Sequence, residues 1–197
     1  MKQMSFYLIL AGLTTIGLLS FKPSATTHKV DIKKSSLSWT GYKVTGKHSG
    51  SIALKSGELK FEGSKLVGGS FDIDMNSMAS TDLTGEYADK LVGHLKADDF
   101  FGVANHPTAK FKIISAGHQG GNLYKITGEM TIKGITQTIK FNSTVKEENG
   151  VKIADAPIKI DRTDFGIKYV SGSFMENLGD KTIYDEFDLE IKLITSK

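Results

Sequence analysis

The residue best equipped for specific polar chemistry is Arg162, the single arginine of the chain. A guanidinium grips a phosphate or a carboxylate through two parallel N–H donors, which a lysine cannot do. The sequence therefore offers Arg162, together with Lys168, as a clamp for an anionic headgroup. The alternative is structural, since an ion pair between Arg162 and a neighbouring acid would pin a loop. The acids available for that pair are Asp161, Asp164, Asp185 and Glu186.

Histidine and carboxylate side chains supply at most a fragment of a metal site. His94 and Asp98 are four residues apart, a spacing that would place them on one face of a helix. Zinc centres use three or four protein ligands, so the alternative role of His94 is packing or capping near a loop. The chain has no cysteine and no H-E-x-x-H, G-x-S-x-G, P-loop or dinucleotide motif. We therefore predict no catalytic residue, no metal and no cofactor.

The remaining candidate site is a stripe of aromatic and aliphatic side chains at alternating positions. Such a stripe usually forms a dry packed core, and the alternative is the lining of an apolar ligand cavity. A lipid site needs no polar motif, because a buried methylene contributes about 0.8 kcal/mol and micromolar binding needs only about 8 kcal/mol. The residues expected to point inward are Phe71, Ile73, Met75, Phe111, Ile113, Ile139, Phe141, Ile158, Ile160, Phe187, Leu189 and Ile191.

Antiparallel β-strands would position this stripe, because each segment alternates apolar and polar residues with period 2. Short glycine-containing breaks between the segments predict hairpin turns. One-sided strands joined by hairpins make a β-sandwich or an up-and-down barrel, here of about eight strands. One face of one strand is expected to hold Val67, Gly69, Phe71, Ile73 and Met75. The predicted turns lie at Ser56-Gly57, Gly120-Gly121-Asn122, Lys133-Gly134 and Asn149-Gly150.

A short helical insertion interrupts the strand pattern over residues 84–101. Tyr87, Leu91 and Leu95 are spaced four apart, as on one face of a helix. Thr84 is the predicted N-cap, and residues 97–101 are expected to add another turn. Beyond the strands, Phe165 and the loop 169–175 carry apolar residues that we expect to form a lid.

The first 25 residues are predicted to be a secretory signal peptide. A positive start is followed by an apolar run over residues 6–19, shorter than the roughly 20 residues of a membrane span. The alternative is an uncleaved N-terminal anchor. Cleavage would leave one periplasmic domain over residues 26–197, with no membrane span. Loss of Lys2 and Lys22 would lower its formal charge from +3 to +1, which argues against a nucleic-acid partner.

Four stretches, taken in order and spacing, resemble the YceI-like family. They are residues 66–75, residues 94–101 followed by 107–111, residues 126–136 and residues 161–167, within a resemblance that extends over about residues 30–193. The resemblance implies a lipocalin-like antiparallel barrel with an apolar tunnel for isoprenoids or other long-chain amphiphiles. It implies no known catalytic activity.

We therefore expect a periplasmic binding or carrier protein whose partner is a long-chain isoprenoid or a fatty-type lipid. The expected ligand-binding set is the inward-facing stripe without Ile191, together with Arg162 and Phe165. Two other functions remain open at this point. One is an enzyme that acts on isoprenoid lipids, and the other is a stress-response or interaction protein with an incidental cavity.

Overall fold

A computed structural model describes residues 24–196 of the chain. Most segments of alternating apolar and polar residues in this range form β-strands. The predicted signal peptide falls outside this range except for Ser24 and Ala25. The described chain has nine strands, one α-helix and two short 3₁₀ turns, over Arg162–Phe165 and Gly179–Lys181. The strands and the helix are β1 (Thr26–Lys29), β2 (Ser36–Lys43), β3 (Gly46–Glu62), β4 (Lys65–Ser80), α1 (Gly85–Lys96), β5 (Thr108–Gly120), β6 (Leu123–Ile132), β7 (Ile135–Glu148), β8 (Val151–Asp161) and β9 (Ile183–Ile194).

Strands β2 to β9 form a closed antiparallel barrel. Each strand pairs with the next one along the chain, and β9 returns to pair with β2. This closure leaves no long free edge and gives every strand one inward face. The all-β, up-and-down barrel of about eight strands with a helical insertion is therefore confirmed.

The short strand β1 completes the barrel wall at one end. It pairs with residues 58–61 of β3, on the same edge that β2 occupies over residues 46–52. The Val30 amide donates to the Gly57 carbonyl over 2.8 Å, and the Ser196 amide donates to the Lys29 carbonyl over 2.8 Å. Residues near both ends of the described chain therefore cover the part of the β3 edge with which β2 does not pair.

A β-bulge changes the predicted face of Val67. Lys60 of β3 pairs with Gly68, but Phe61 pairs with Leu66, so the pairing skips Val67. A one-residue skip reverses the side to which the preceding residues point. Leu66 is buried in the core and Val67 is exposed, so the inward prediction for Val67 is wrong.

The turn predicted at Ser56-Gly57 is also wrong, because β3 runs without a break through that pair. A Cβ at Gly57 would lie 2.8 Å from the ring of Phe71 and 3.3 Å from Val30. Gly57 therefore serves close packing inside a strand. The other three predicted turns do connect neighbouring strands, β5 to β6, β6 to β7 and β7 to β8.

The helical insertion is shorter than predicted and covers one end of the barrel. Thr84 is the N-cap residue of α1, but its side chain makes no capping hydrogen bond. Residues 97–101 form turns instead of helix, and Tyr87 is largely exposed. No residue of α1 is fully buried, and no helix within residues 24–196 has the length and apolar character needed to cross a bilayer.

Candidate functional site

The barrel interior holds two adjoining apolar chambers. The outer chamber lies at the end covered by α1 and has a volume of about 180 Å³. The inner chamber lies deeper and has a volume of about 80 Å³. Four apolar side chains line both chambers and form a waist between them, namely Leu37, Ile73, Met130 and Leu189.

Strand and helix residues together enclose the outer chamber. Trp39 on β2 lines it, with the indole N–H donating to the Ser51 carbonyl over 3.3 Å. From α1, Leu91 and Leu95 face the same space. The turn after α1 adds Phe101, whose ring meets Phe187 of β9 edge-on at a centroid distance of 6.3 Å. The insertion thus closes over the barrel with apolar side chains.

Aromatic rings from three strands wall the inner chamber. Phe71 and Phe111 stack with centroids 6.3 Å apart, and Phe111 lies 5.5 Å from Phe141. A Cβ at Gly128 would lie 2.4 Å from the Phe111 ring, so this glycine makes room for the aromatic cluster. The hydroxyl of Ser143, a polar lining group, donates to the Asp155 carbonyl over 2.9 Å. The chamber therefore presents an apolar surface.

Polar groups gather instead where the outer chamber meets the surface. The Tyr42 hydroxyl donates to Asp188 over 2.7 Å, and this hydrogen bond raises the pKa of Tyr42. His94 lies 3.3 Å from the Asp99 carboxylate and packs edge-on against Tyr169. Polar side chains therefore border the outer chamber, whereas the wall of the inner chamber is apolar.

Arg162 lines the outer chamber but is only 3% exposed, and its guanidinium N–H groups form hydrogen bonds within the protein. Its Nε donates to the Tyr184 carbonyl over 3.1 Å, its Nη1 to Ile167 over 2.8 Å and its Nη2 to Ile183 over 3.0 Å. Nη2 also lies 3.3 Å from the Asp185 carboxylate.

These bonds tie the 3₁₀ turn after β8 to the start of β9. Of the four acids considered as partners, Asp185 forms the ion pair, while Asp161 accepts hydrogen bonds from Thr163. The ammonium of Lys168 lies over the Phe174 ring, 4.1 Å from its centroid. A bidentate grip on a headgroup would therefore require Arg162 to give up existing bonds.

Ten of the thirteen predicted ligand-binding residues line a chamber. Ile139, Ile160 and Phe165 line neither; Ile160 and Phe165 are buried in the core, and Ile139 packs against it. The outer chamber receives Ile73, Met75, Arg162, Phe187 and Leu189, and the inner chamber receives Phe71, Ile73, Phe111, Ile113, Phe141, Ile158 and Leu189.

The helix face expected to hold both His94 and Asp98 does not form. Asp98 follows the end of α1, and its carbonyl accepts a hydrogen bond from Lys133 over 2.7 Å. The carboxylate near His94 belongs to Asp99 instead. Across residues 24–196, no group of three or more histidine or carboxylate side chains has the arrangement of a metal site.

Several chamber residues were missing from the predicted set. Leu37 and Trp39 alternate on β2, and Met130 and Ile132 alternate on β6, so period 2 alone would have identified them. Phe100 also lines the outer chamber from the turn after α1. No periodic signal marks a residue in such a turn.

Comparison with known proteins gives a consistent family assignment. The profile of the YceI-like domain matches residues 28–194. A protein of Shewanella denitrificans named UPF0312 protein is 30% identical over 87 residues, which span 44% of this chain and 44% of that protein.

Two solved structures share the fold. Burkholderia cenocepacia BcnA superposes with a TM-score of 0.69 at 23% identity, covering 85% of this chain and 99% of BcnA. A polyisoprenoid-binding domain from Saccharophagus degradans, implicated in plant cell wall breakdown, superposes with a TM-score of 0.65 at 18% identity. That match covers 86% of this chain and 97% of the domain.

Proposed function

This chain belongs to the YceI-like domain family, and on that premise we propose that it is a periplasmic carrier of long-chain isoprenoids or similar amphiphiles. The polyisoprenoid-binding domain of Saccharophagus degradans, which has the same fold, supports this choice of ligand class. The predicted signal peptide supports the location.

The observation that carries the proposal is the distribution of polar groups along the interior. Tyr42 and His94 lie where the outer chamber meets the surface, whereas the inner chamber is walled by Phe71, Phe111 and Phe141. An amphiphile would enter tail first and keep its headgroup near the polar end. Ten buried tail carbons would contribute about 8 kcal/mol before the cost of ordering the chain.

A long tail would need more room than the two chambers offer, since ligand sites usually measure about 300–1,000 Å³. The outer and inner chambers measure about 180 and 80 Å³. We place the required opening at α1, because this helix covers the outer chamber and none of its residues is fully buried. Ligand entry is then a movement of the helix away from the barrel end.

Binding, not catalysis, is the proposed activity. Arg162 donates its N–H groups to backbone carbonyls and Asp185, and Tyr42 donates to Asp188. Both polar groups are engaged by the protein itself, and most of the side chains that wall the two chambers are hydrocarbon. A lipid bound there meets van der Waals contacts along most of its length.

The chain contains its own reporter for ligand binding. Its single tryptophan, Trp39, lines the outer chamber, so its fluorescence should change when a prenyl alcohol enters. We expect a saturable change with farnesol and none with isopentenol at the same concentration, because isopentenol is too short to fill the chamber. Organic extracts of protein purified from its native host, analysed by mass spectrometry, should contain an isoprenoid in about equimolar amount. Extracts free of lipid, together with an unresponsive Trp39, would contradict the proposal.

A further inference from the structure

Two loops beside the opening of the outer chamber expose apolar side chains next to lysines. The β2–β3 hairpin exposes Val44, 47% accessible, between Lys43 and Lys47. The connection between β8 and β9 exposes Phe174 and Met175, 51% and 45% accessible. We call this surface the docking rim, defined as Lys43, Val44, Lys47, Lys168, Phe174 and Met175.

Backbone contacts hold the two loops of the docking rim together. The Val44 amide donates to the Thr182 carbonyl over 3.1 Å. Gly172 lies against the same threonine, since a Cβ on it would be 3.3 Å from the Thr182 methyl group. The apolar tips thus belong to one surface of the molecule.

The docking rim is positively charged at its edge. Among residues 24–196, Lys43, Lys47 and Lys168 form no ion pair, and Lys168 lies over the Phe174 ring. The neighbouring acids Glu176 and Asp180 pair with none of these lysines. Asp185, Glu186 and Asp188, which lie beside Thr182, pair with Arg162 and Lys159 instead. Exposed apolar residues flanked by free ammonium groups suit an interface between hydrocarbon and anionic headgroups.

We propose that the docking rim inserts into the surface of a bilayer containing anionic lipid. The inference rests on the proposed function, because a carrier of isoprenoids must collect and release them at a membrane. Val44, Phe174 and Met175 would enter the acyl boundary, and the three lysines would contact phosphates. Tyr184, which is exposed and also lines the outer chamber, adds an aromatic ring of the kind found at bilayer interfaces.

Continuity with the chamber favours a bilayer as the occupant of this surface. Lys43 belongs to the docking rim and also lines the outer chamber, so the rim borders that chamber. A lipid tail would pass from the bilayer past Lys43 and Tyr184 toward the waist. Insertion would spare the tail a passage through water, where each exposed methylene is unfavourable.

The absence of cysteine from the chain allows a site-specific test. Single variants Val44→Cys and Met175→Cys would carry the environment-sensitive dye NBD. Ile32→Cys and Ile114→Cys are matched controls, because those side chains are 45% and 52% accessible and lie outside the docking rim. In vesicles of equal parts phosphatidylcholine and phosphatidylglycerol, only the two rim probes should shift to the blue and be quenched by nitroxide-labelled acyl chains.

The lysines provide a second measurement. The triple variant Lys43→Gln, Lys47→Gln, Lys168→Gln should weaken partitioning onto these vesicles by about a hundredfold. A triple exchange of Lys65, Lys112 and Lys125 to Gln removes equal charge from exposed positions elsewhere and should leave partitioning nearly unchanged.

Equal responses from all four probes, or none, would overturn the docking proposal. So would equal losses of partitioning in the two lysine variants. Insertion of the rim by a protein that binds no prenyl alcohol would support docking and reject the carrier function. Prenyl alcohol binding without rim insertion would support the carrier function and reject docking.

Discussion

Ala156→Leu tests whether the inner chamber receives the end of a bound tail. Ala156 lies on β8 opposite Ile191 of β9 and is 8% exposed. It lines the inner chamber and not the outer one. The substitution adds three carbon atoms to a chamber of about 80 Å³ and leaves the outer chamber intact.

The expected effect depends on ligand length. If three side-chain carbons displace three ligand carbons, the loss is about 2.4 kcal/mol, at about 0.8 kcal/mol each. This corresponds to roughly fiftyfold weaker binding of a tail long enough to pass the waist. A short prenyl alcohol that stays in the outer chamber should bind as before. Ala109→Leu is the matched control, because Ala109 is 5% exposed and lines the outer chamber.

Titrations of Trp39 fluorescence with geraniol and with solanesol would measure both variants. We expect Ala156→Leu to weaken solanesol alone and Ala109→Leu to weaken both alcohols. Thermal melts control for overpacking, which typically costs about 1–3 kcal/mol. If Ala156→Leu weakened both alcohols equally, or neither, the inner chamber would not be the tail site.

Two further predictions concern polar contacts. Arg162→Lys should lower the free energy of unfolding by about 2–4 kcal/mol, because lysine cannot reproduce the three carbonyl bonds and leaves Asp185 poorly paired. Thermal melts would measure the loss, and titrations should show prenyl phosphate and prenyl alcohol weakened together; selective loss of the phosphate would favour the headgroup clamp instead. Burial acts to raise the pKa of Asp82, but hydrogen bonds from His48, Ser49 and Ser80 outweigh it and lower that pKa from 3.8 to about 2. Because the pKa of Asp82 is lower in the folded chain than in the unfolded chain, its carboxylate stabilises the fold at pH values above its unfolded pKa. This stabilisation is lost as the pH falls from about 4 to 2. The free energy of unfolding of wild type should therefore exceed that of Asp82→Asn by about 1 kcal/mol or less at pH 7, because the His48–Asp82 pair is partly exposed. In urea titrations this difference should disappear by pH 2. A gap unchanged at pH 2 would contradict this.

Strand alternation predicted the barrel and most of its lining, because an inward face repeats every second residue. Phe71, Phe111 and Phe141 were identified in this way. Alternation fails where a bulge shifts the phase, as at Val67. It also fails to separate a turn glycine from a packing glycine, and only the close approach of Phe71 and Val30 explains Gly57. Both errors depend on a partner strand that the local sequence does not reveal.

The polar contacts of the site were less predictable than its apolar wall. Four acids were equally plausible partners for Arg162, and the choice of Asp185 follows from the way β9 passes the turn after β8. The backbone carbonyls that accept most of its hydrogen bonds carry no signal in the sequence. Tyr87 has the spacing of a helix face, yet it is exposed, whereas Leu91 and Leu95 on the same face line the outer chamber.

The pairing of β2 with β9 determines when the cavity can exist during synthesis. Trp39 opposes Leu189, so residues from the two ends of the sequence must meet before the wall is continuous. Contacts this distant along the chain form slowly, since a long loop must close first. A nascent chain that ends before β9 has unpaired edges on β2 and β8 and an open, water-filled interior. We therefore expect ligand loading to follow the pairing of β9 with β2, and we expect a chain that lacks β9 to be prone to aggregation.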